Sequence, residues 1–244
     1  MNALARPLPA AAAAARTPAT GRRALGLLLI ADALLSFAPV VILGAAIGWP
    51  ASLDKSAAEQ LGAIGAQPGG VALGYAVYLL YSILIAPVMI GLAARTFGGL
   101  QSPLAATVAA FGALSALARS IGILRWLTVM PVLATAYAGA GNDAALRQQI
   151  EWLFTGLTTY GGGIGEVLGV SVFMAASVGT LAVGAWLRGA MPTWLALLGL
   201  LSAVLLAGLA LPVLRGPDLV PVAAAVSLLS VWMLAAGVWV MRSR

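Results

Sequence analysis

Residues 103–138 read PLAATVAAFGALSALARSIGILRWLTVMPVLATAYA, an apolar segment interrupted by two arginines, Arg119 and Arg125. At 36 residues it exceeds the roughly 20 that a helix needs to cross a bilayer, and Pro103 is a good first residue for that helix. A guanidinium at the bilayer centre costs about 2.5–3.5 kcal/mol on insertion scales. The two arginines therefore need a partner, a cavity or an interface, and the rest of the chain has to supply it.

The flanking sequence is of the same kind. Of 244 residues, 62% are apolar and 8% charged, and the mean hydropathy is +1.03, whereas soluble domains carry about 25% charged residues. Apolar runs at 24–49, 71–94, 103–137, 161–187, 195–214 and 219–241 predict an all-α integral membrane bundle of six transmembrane helices. Pro39 should kink the first. Residues 1–21, rich in Ala and Pro, read as a disordered leader, and 22–244 as a single bundle domain. Placing both termini in the cytoplasm puts eight arginines inside (Arg6, Arg16, Arg22, Arg23, Arg95, Arg188, Arg242, Arg244) and three cations, Lys55, Arg147 and Arg215, outside. That is the expected positive-inside bias.

The same distribution accounts for the net charge of +6. The arginines sit at span ends and form no stripe, so nucleic acid is not indicated and the bilayer is the expected partner. The chain has no Cys and no His. This removes the usual ligands for haem, iron–sulfur, copper and zinc and the histidine-based hydrolase mechanisms, so no metal or cofactor is expected. Any acid–base chemistry falls to carboxylates, tyrosines and arginines.

Depth sorts the buried charges. At 1.5 Å per residue, Arg119 lies about 24 Å from the cytoplasmic end of its helix and Arg125 about 33 Å, near the outer interface. Glu166, entering from outside, reaches roughly 18 Å above the inner side of a 30 Å core, and Asp32 about 12 Å. Height makes Glu166 the expected partner of Arg119, with Arg125 and Glu151 forming a shallower pair. Asp32, Tyr78, Tyr81, Arg119 and Glu166 form the candidate binding cluster, with Arg125 at its edge. Such a cluster is either a ligand site or a clamp that holds helices in register. Gly161, Gly165 and Gly169, spaced i, i+4, i+8, read as a seam for close helix packing within the bundle. Trp49, Trp152, Trp194 and Trp239 read as interface anchors.

The order of features resembles a known family. Arg22–Leu27 leading into the first span, an arginine within the third, Leu157-Thr158-Thr159-Tyr160-Gly161 before an apolar helix, then Arg188, Pro192-Thr193-Trp194-Leu195 and Leu198-Gly199 look like bacterial membrane proteins of the domain-of-unknown-function 4386 family. Members often carry a His-Ser-Tyr-Gly-like turn where this chain has Thr158-Thr159-Tyr160-Gly161. The resemblance implies a six-helix bundle in the bacterial cytoplasmic membrane and supplies no activity.

Three functions are compatible with these residues. One is a non-enzymatic protein that binds a small apolar or amphipathic ligand, or a membrane-protein partner, in a polar-lined bundle cavity. Another is an intramembrane enzyme, an isoprenoid cyclase or lipid-modifying enzyme, with Asp32 or Glu166 as buried acid. The third is a transporter or substrate-capture subunit, for which no two-half repeat is evident.

Overall fold

The computed structural model describes residues 19–243. The leader expected over 1–21 falls outside these residues as far as position 18, and 19–21 already belong to the first helix. That helix, α1 (Ala19–Leu35), is separated from α2 (Ala38–Ile47) by a two-residue break at Ser36 and Phe37. Pro39, which has no N–H to give to a continuing helix, stands in the first turn of α2, so the predicted kink is present. The Ser36 hydroxyl bonds the Ala33 carbonyl at 2.7 Å and meets Ser230 Oγ at 2.9 Å, which satisfies polar groups at the break.

A short connecting helix, α3 (Ala57–Ala66), opens on a capping box between Ser56 and Glu59. Then come α4 (Pro68–Phe97), α5 (Pro103–Leu127) and α6 (Val129–Gly139). The long arginine-bearing stretch is thus one rod broken at Thr128, where Pro131 removes an N–H from the first turn of α6. Next, α7 (Ala144–Gly162) runs into an eleven-residue π-helical segment, Gly163–Phe173, and on into α8 (Met174–Leu187), followed by α9 (Thr193–Gly208) and α10 (Val222–Arg242).

Five rods are long and apolar enough to cross a membrane: Thr20–Ile47, Pro68–Phe97, Pro103–Gly139, Ala144–Leu187 and Val222–Arg242. The span expected over 195–214 is shorter. As α9 it has 16 residues, about 24 Å, after which the chain turns into a 3-10 helix at Pro212–Leu214. Pro212, Gly216 and Pro217 prevent the helix from continuing.

The helices pack antiparallel in a closed circuit. Among the described residues, α1 lies on α4, α4 on α5, α5 on the π segment and α8, α8 on α9, α9 on α10, and α10 back on α1. Two apolar clusters fill the bundle. A larger one runs from Leu29 and Met89 to Trp232 and Val240, and a smaller one joins Leu43, Leu61, Tyr75, Trp126, Met130 and Phe154. Hydroxyls tie the rods across helices: Ser115 donates to the Gly169 carbonyl at 2.8 Å, Ser177 to that of Val108 at 2.8 Å and Ser171 to that of Leu206 at 2.5 Å.

The tightest seam joins α5 to the π segment. A Cβ on Gly122 would lie 2.7 Å from Gly165 Cα and 2.9 Å from the Gly161 carbonyl oxygen, so only hydrogen fits between the two backbones. The predicted glycine stripe is therefore an internal packing surface. We expect Gly122→Ala to destabilise the bundle by about 1–3 kcal/mol through overpacking. Gly62→Ala, on an exposed face of α3 with open space around it, should instead stabilise by about 0.5–1 kcal/mol. Thermal unfolding of the two variants in detergent distinguishes these outcomes.

Candidate functional site

Three tyrosines at i, i+3 and i+6 of α4 turn one face of that helix toward α5. Tyr81 lies in the larger apolar cluster, Tyr75 in the smaller, and Tyr78 touches both. Tyr78 and Tyr81 stack with centroids 6.1 Å apart, and Trp49 meets Tyr78 edge-on at 6.1 Å. The polar layer sits at this boundary.

Arg119, 2% exposed on α5, places its guanidinium carbon 4.6 Å from the centre of the Tyr81 ring. That is a cation–π contact in a desolvated setting, worth up to about 2 kcal/mol. On its other side the glycine seam presses on it, since a Cβ on Gly169 would lie 2.7 Å from Arg119 Cγ. Asp32 is 0% exposed on α1. Yet no hydrogen bond within the described residues satisfies Nε or Nη1 of Arg119, either carboxyl oxygen of Asp32, or the hydroxyls of Tyr81 and Ser82. Buried polar atoms are nearly always paired, and each one left unpaired costs about 1–3 kcal/mol.

Of the residues expected to converge, Tyr78, Tyr81 and Arg119 do so, Asp32 lies buried on α1 without an ion pair to Arg119, and Glu166 does not join them. Its carboxylate lies 3.9 Å from Arg125 Nη2, which is the one ion pair among the described residues. Glu166 is 65% exposed by its side chain and Arg125 only 11%. The pairing expected from depth, Glu166 with Arg119, gives way to Glu166 with Arg125. Gly161 lies against Arg125, Gly165 against Gly122 and Gly169 against Arg119, so Glu166 stands between the levels of the two arginines and height does not select Arg119. A π-helix bonds i→i+5 and fits more residues into each turn, so Gly163–Phe173 presents its side chains in directions that α-helical spacing does not describe.

The second expected pair, Arg125 with Glu151, is also absent. Glu151 instead accepts a bond from the Tyr137 hydroxyl at 2.9 Å, while Arg125 donates to the Gly122 carbonyl at 2.6 Å and lies 5.2 Å from the Trp126 ring centre. Trp126 was not singled out from the sequence. It stacks on Tyr75 with centroids 4.8 Å apart and planes 2° from parallel, within the smaller apolar cluster. Its place about half a turn before the break at Thr128 was the available signal.

A surface groove of about 400 Å³ lined by Val172, Ala175, Ala176, Ala203, Val204 and Ala207 is apolar and includes none of these polar residues.

Five long apolar rods enclosing a buried arginine define a multi-pass helical membrane protein. The chain belongs to the DUF4386 family, a domain of unknown function whose sequence profile matches residues 24–241, as the motifs from Arg22 to Gly199 had indicated. No curated protein and no solved structure matches the chain.

The two arginines differ in a measurable way. In a double-mutant cycle, Arg125→Gln and Glu166→Gln should couple by under about 1 kcal/mol, the usual scale of polar pairs between membrane helices. Arg119→Gln and Glu166→Gln should show no coupling. Coupling confined to the Arg119 cycle would restore the pairing by depth.

Proposed function

We propose that the bundle binds a small amphipathic molecule whose polar end accepts hydrogen bonds from Arg119, with Asp32, Tyr78 and Tyr81 completing the polar wall. The reading rests on one observation: Nε and Nη1 of the buried guanidinium have no acceptor among the described residues, and the buried carboxyl of Asp32 is equally unpaired. A ligand bearing an acceptor for Arg119 and a donor for Asp32 removes both penalties at once. The break at Ser36 and Phe37, one turn from Asp32, is where α1 gives way to admit it.

Native mass spectrometry of the protein extracted in mild detergent tests this directly. The natural chain should carry a co-purifying amphipathic adduct, and Arg119→Ala should lose both the adduct and the thermal stabilisation given by a lipid extract. An adduct kept unchanged by Arg119→Ala contradicts the proposal.

In our reading the chain crosses the cytoplasmic membrane six times with both of its ends inside, and α9 with the residues that follow it is the short fifth crossing. The charge bias supports this orientation, as does the gathering of Arg22, Arg95, Arg188 and Arg242 at one end of the bundle. Because the chain has no native cysteine, single cysteines report topology cleanly. Lys55→Cys should react with an impermeant maleimide in intact cells, and Gln101→Cys only after permeabilisation. The opposite pattern overturns the orientation.

A further inference from the structure

At the arginine-rich end two guanidiniums converge on one residue. Arg22, in the second turn of α1, donates from Nη1 to the Ser243 carbonyl, and Arg95, in the last turn of α4, donates from Nη2 to the Ser243 hydroxyl at 2.6 Å. The Arg95 guanidinium carbon also lies 5.9 Å from the ring centre of Trp239 on α10. The two like charges are close enough to act on each other, and the Nε atoms of both have no acceptor among the described residues.

Among the described residues, this end has no acidic side chain. The seven acidic residues of the chain are Asp32, Asp54, Glu59, Asp143, Glu151, Glu166 and Asp218. Asp32 lies in the polar layer and Glu166 on the π segment, and the other five belong to the opposite end. The helix ends around Arg22, Arg95 and Ser243 contain none, while Arg188, packed 5.3 Å over Phe97, and the exposed Arg23 and Arg242 add further positive charge. Two arginine forks held side by side with no acidic side chain beside them among the described residues match the oxygen array of a phosphate group, which guanidinium binds in bidentate fashion. Their position also suits that ligand. Apolar side chains of α1 and α10 lead away from the pair into the bundle, and Trp239 supplies the amphipathic ring favoured at headgroup level.

We infer that Arg22, Arg95 and Ser243 form a binding site for a phosphate-bearing anion at the membrane interface, with the phosphodiester of an anionic phospholipid as its occupant. The site is separate from the Arg119 layer, so the two stand or fall independently.

The test uses the full chain in a neutral detergent, with phosphatidylglycerol, phosphatidylcholine or inorganic phosphate added, and reads retained adducts by native mass spectrometry together with the thermal midpoint. The natural protein should retain phosphatidylglycerol and gain stability from it, with no such effect of phosphatidylcholine. Arg22→Gln with Arg95→Gln should lose the adduct and the shift, while Arg23→Gln with Arg242→Gln, an equal loss of charge on exposed residues, should keep both. Stabilisation by inorganic phosphate equal to that by the lipid, and lost in the same variant, would place a free phosphate in the site and overturn the lipid as occupant. Equal retention by both double variants, or equal loss from both, overturns the site, because surface charge alone would then explain the binding. Should the Arg22/Arg95 glutamine variant fail to fold, Arg22→Lys with Arg95→Lys replaces it: weakened retention supports the paired forks, and undiminished retention contradicts them.

Discussion

The contact on which the arrangement turns is backbone against backbone, where Gly122 of α5 meets Gly165 of the π-helical segment. Between helices in lipid there is little hydrophobic gain from association, so close packing and hydrogen bonds carry it. Small residues at 122, 161, 165 and 169 bring the two rods together, and Ser115 fastens them through the Gly169 carbonyl. The same approach fixes both intramembrane arginines. Gly169 presses on the stem of Arg119 and holds it toward Tyr81, and Gly161 presses on the stem of Arg125 and holds it toward Trp126 and Glu166.

Charge is then sorted by position. Arg125 and Glu166 share an open flank of the bundle, where a pair 3.9 Å apart with one exposed member contributes little stability. Arg119 and Asp32 sit between the two apolar clusters without full hydrogen bonding, an arrangement whose cost makes sense if a ligand supplies the missing partners. Arg22, Arg23, Arg95, Arg188 and Arg242 collect at one end with no acidic side chain beside them among the described residues, and most of the acids collect at the other. A single chain thus separates a structural seam, a buried polar layer and a cationic rim along its length.

Much of this could be read from residue order. Pro39 announced the break between α1 and α2, Pro103 the start of α5, and the glycine spacing the seam, because each acts through local backbone geometry. The polar layer was legible in part, since Asp32, Tyr78, Tyr81 and Arg119 are each anomalous within an apolar run. Their pairing was not. Counting residues does not choose between the two arginines, because Glu166 stands between their levels. Direction around the helix axis depends on residues per turn, and the π segment changes that number just where Glu166 sits. Trp126 escaped notice because it lies inside the long apolar run, where residue order does not show its stacking on Tyr75. The early end of α9 reflects Pro212, Gly216 and Pro217 overriding the apolar pattern that continues past Gly208.

Glycine packing, and not the buried charges, holds the bundle together, which leaves Arg119 and Asp32 free for another purpose. Equilibrium unfolding of Arg119→Met combined with Asp32→Asn is the most direct measurement. Replacing a buried charge cluster by groups of similar size is often neutral or stabilising by about 1–4 kcal/mol, and the account predicts a stability equal to or above that of the natural protein. A loss of about 3 kcal/mol or more would contradict it and make the polar layer the clamp of the fold.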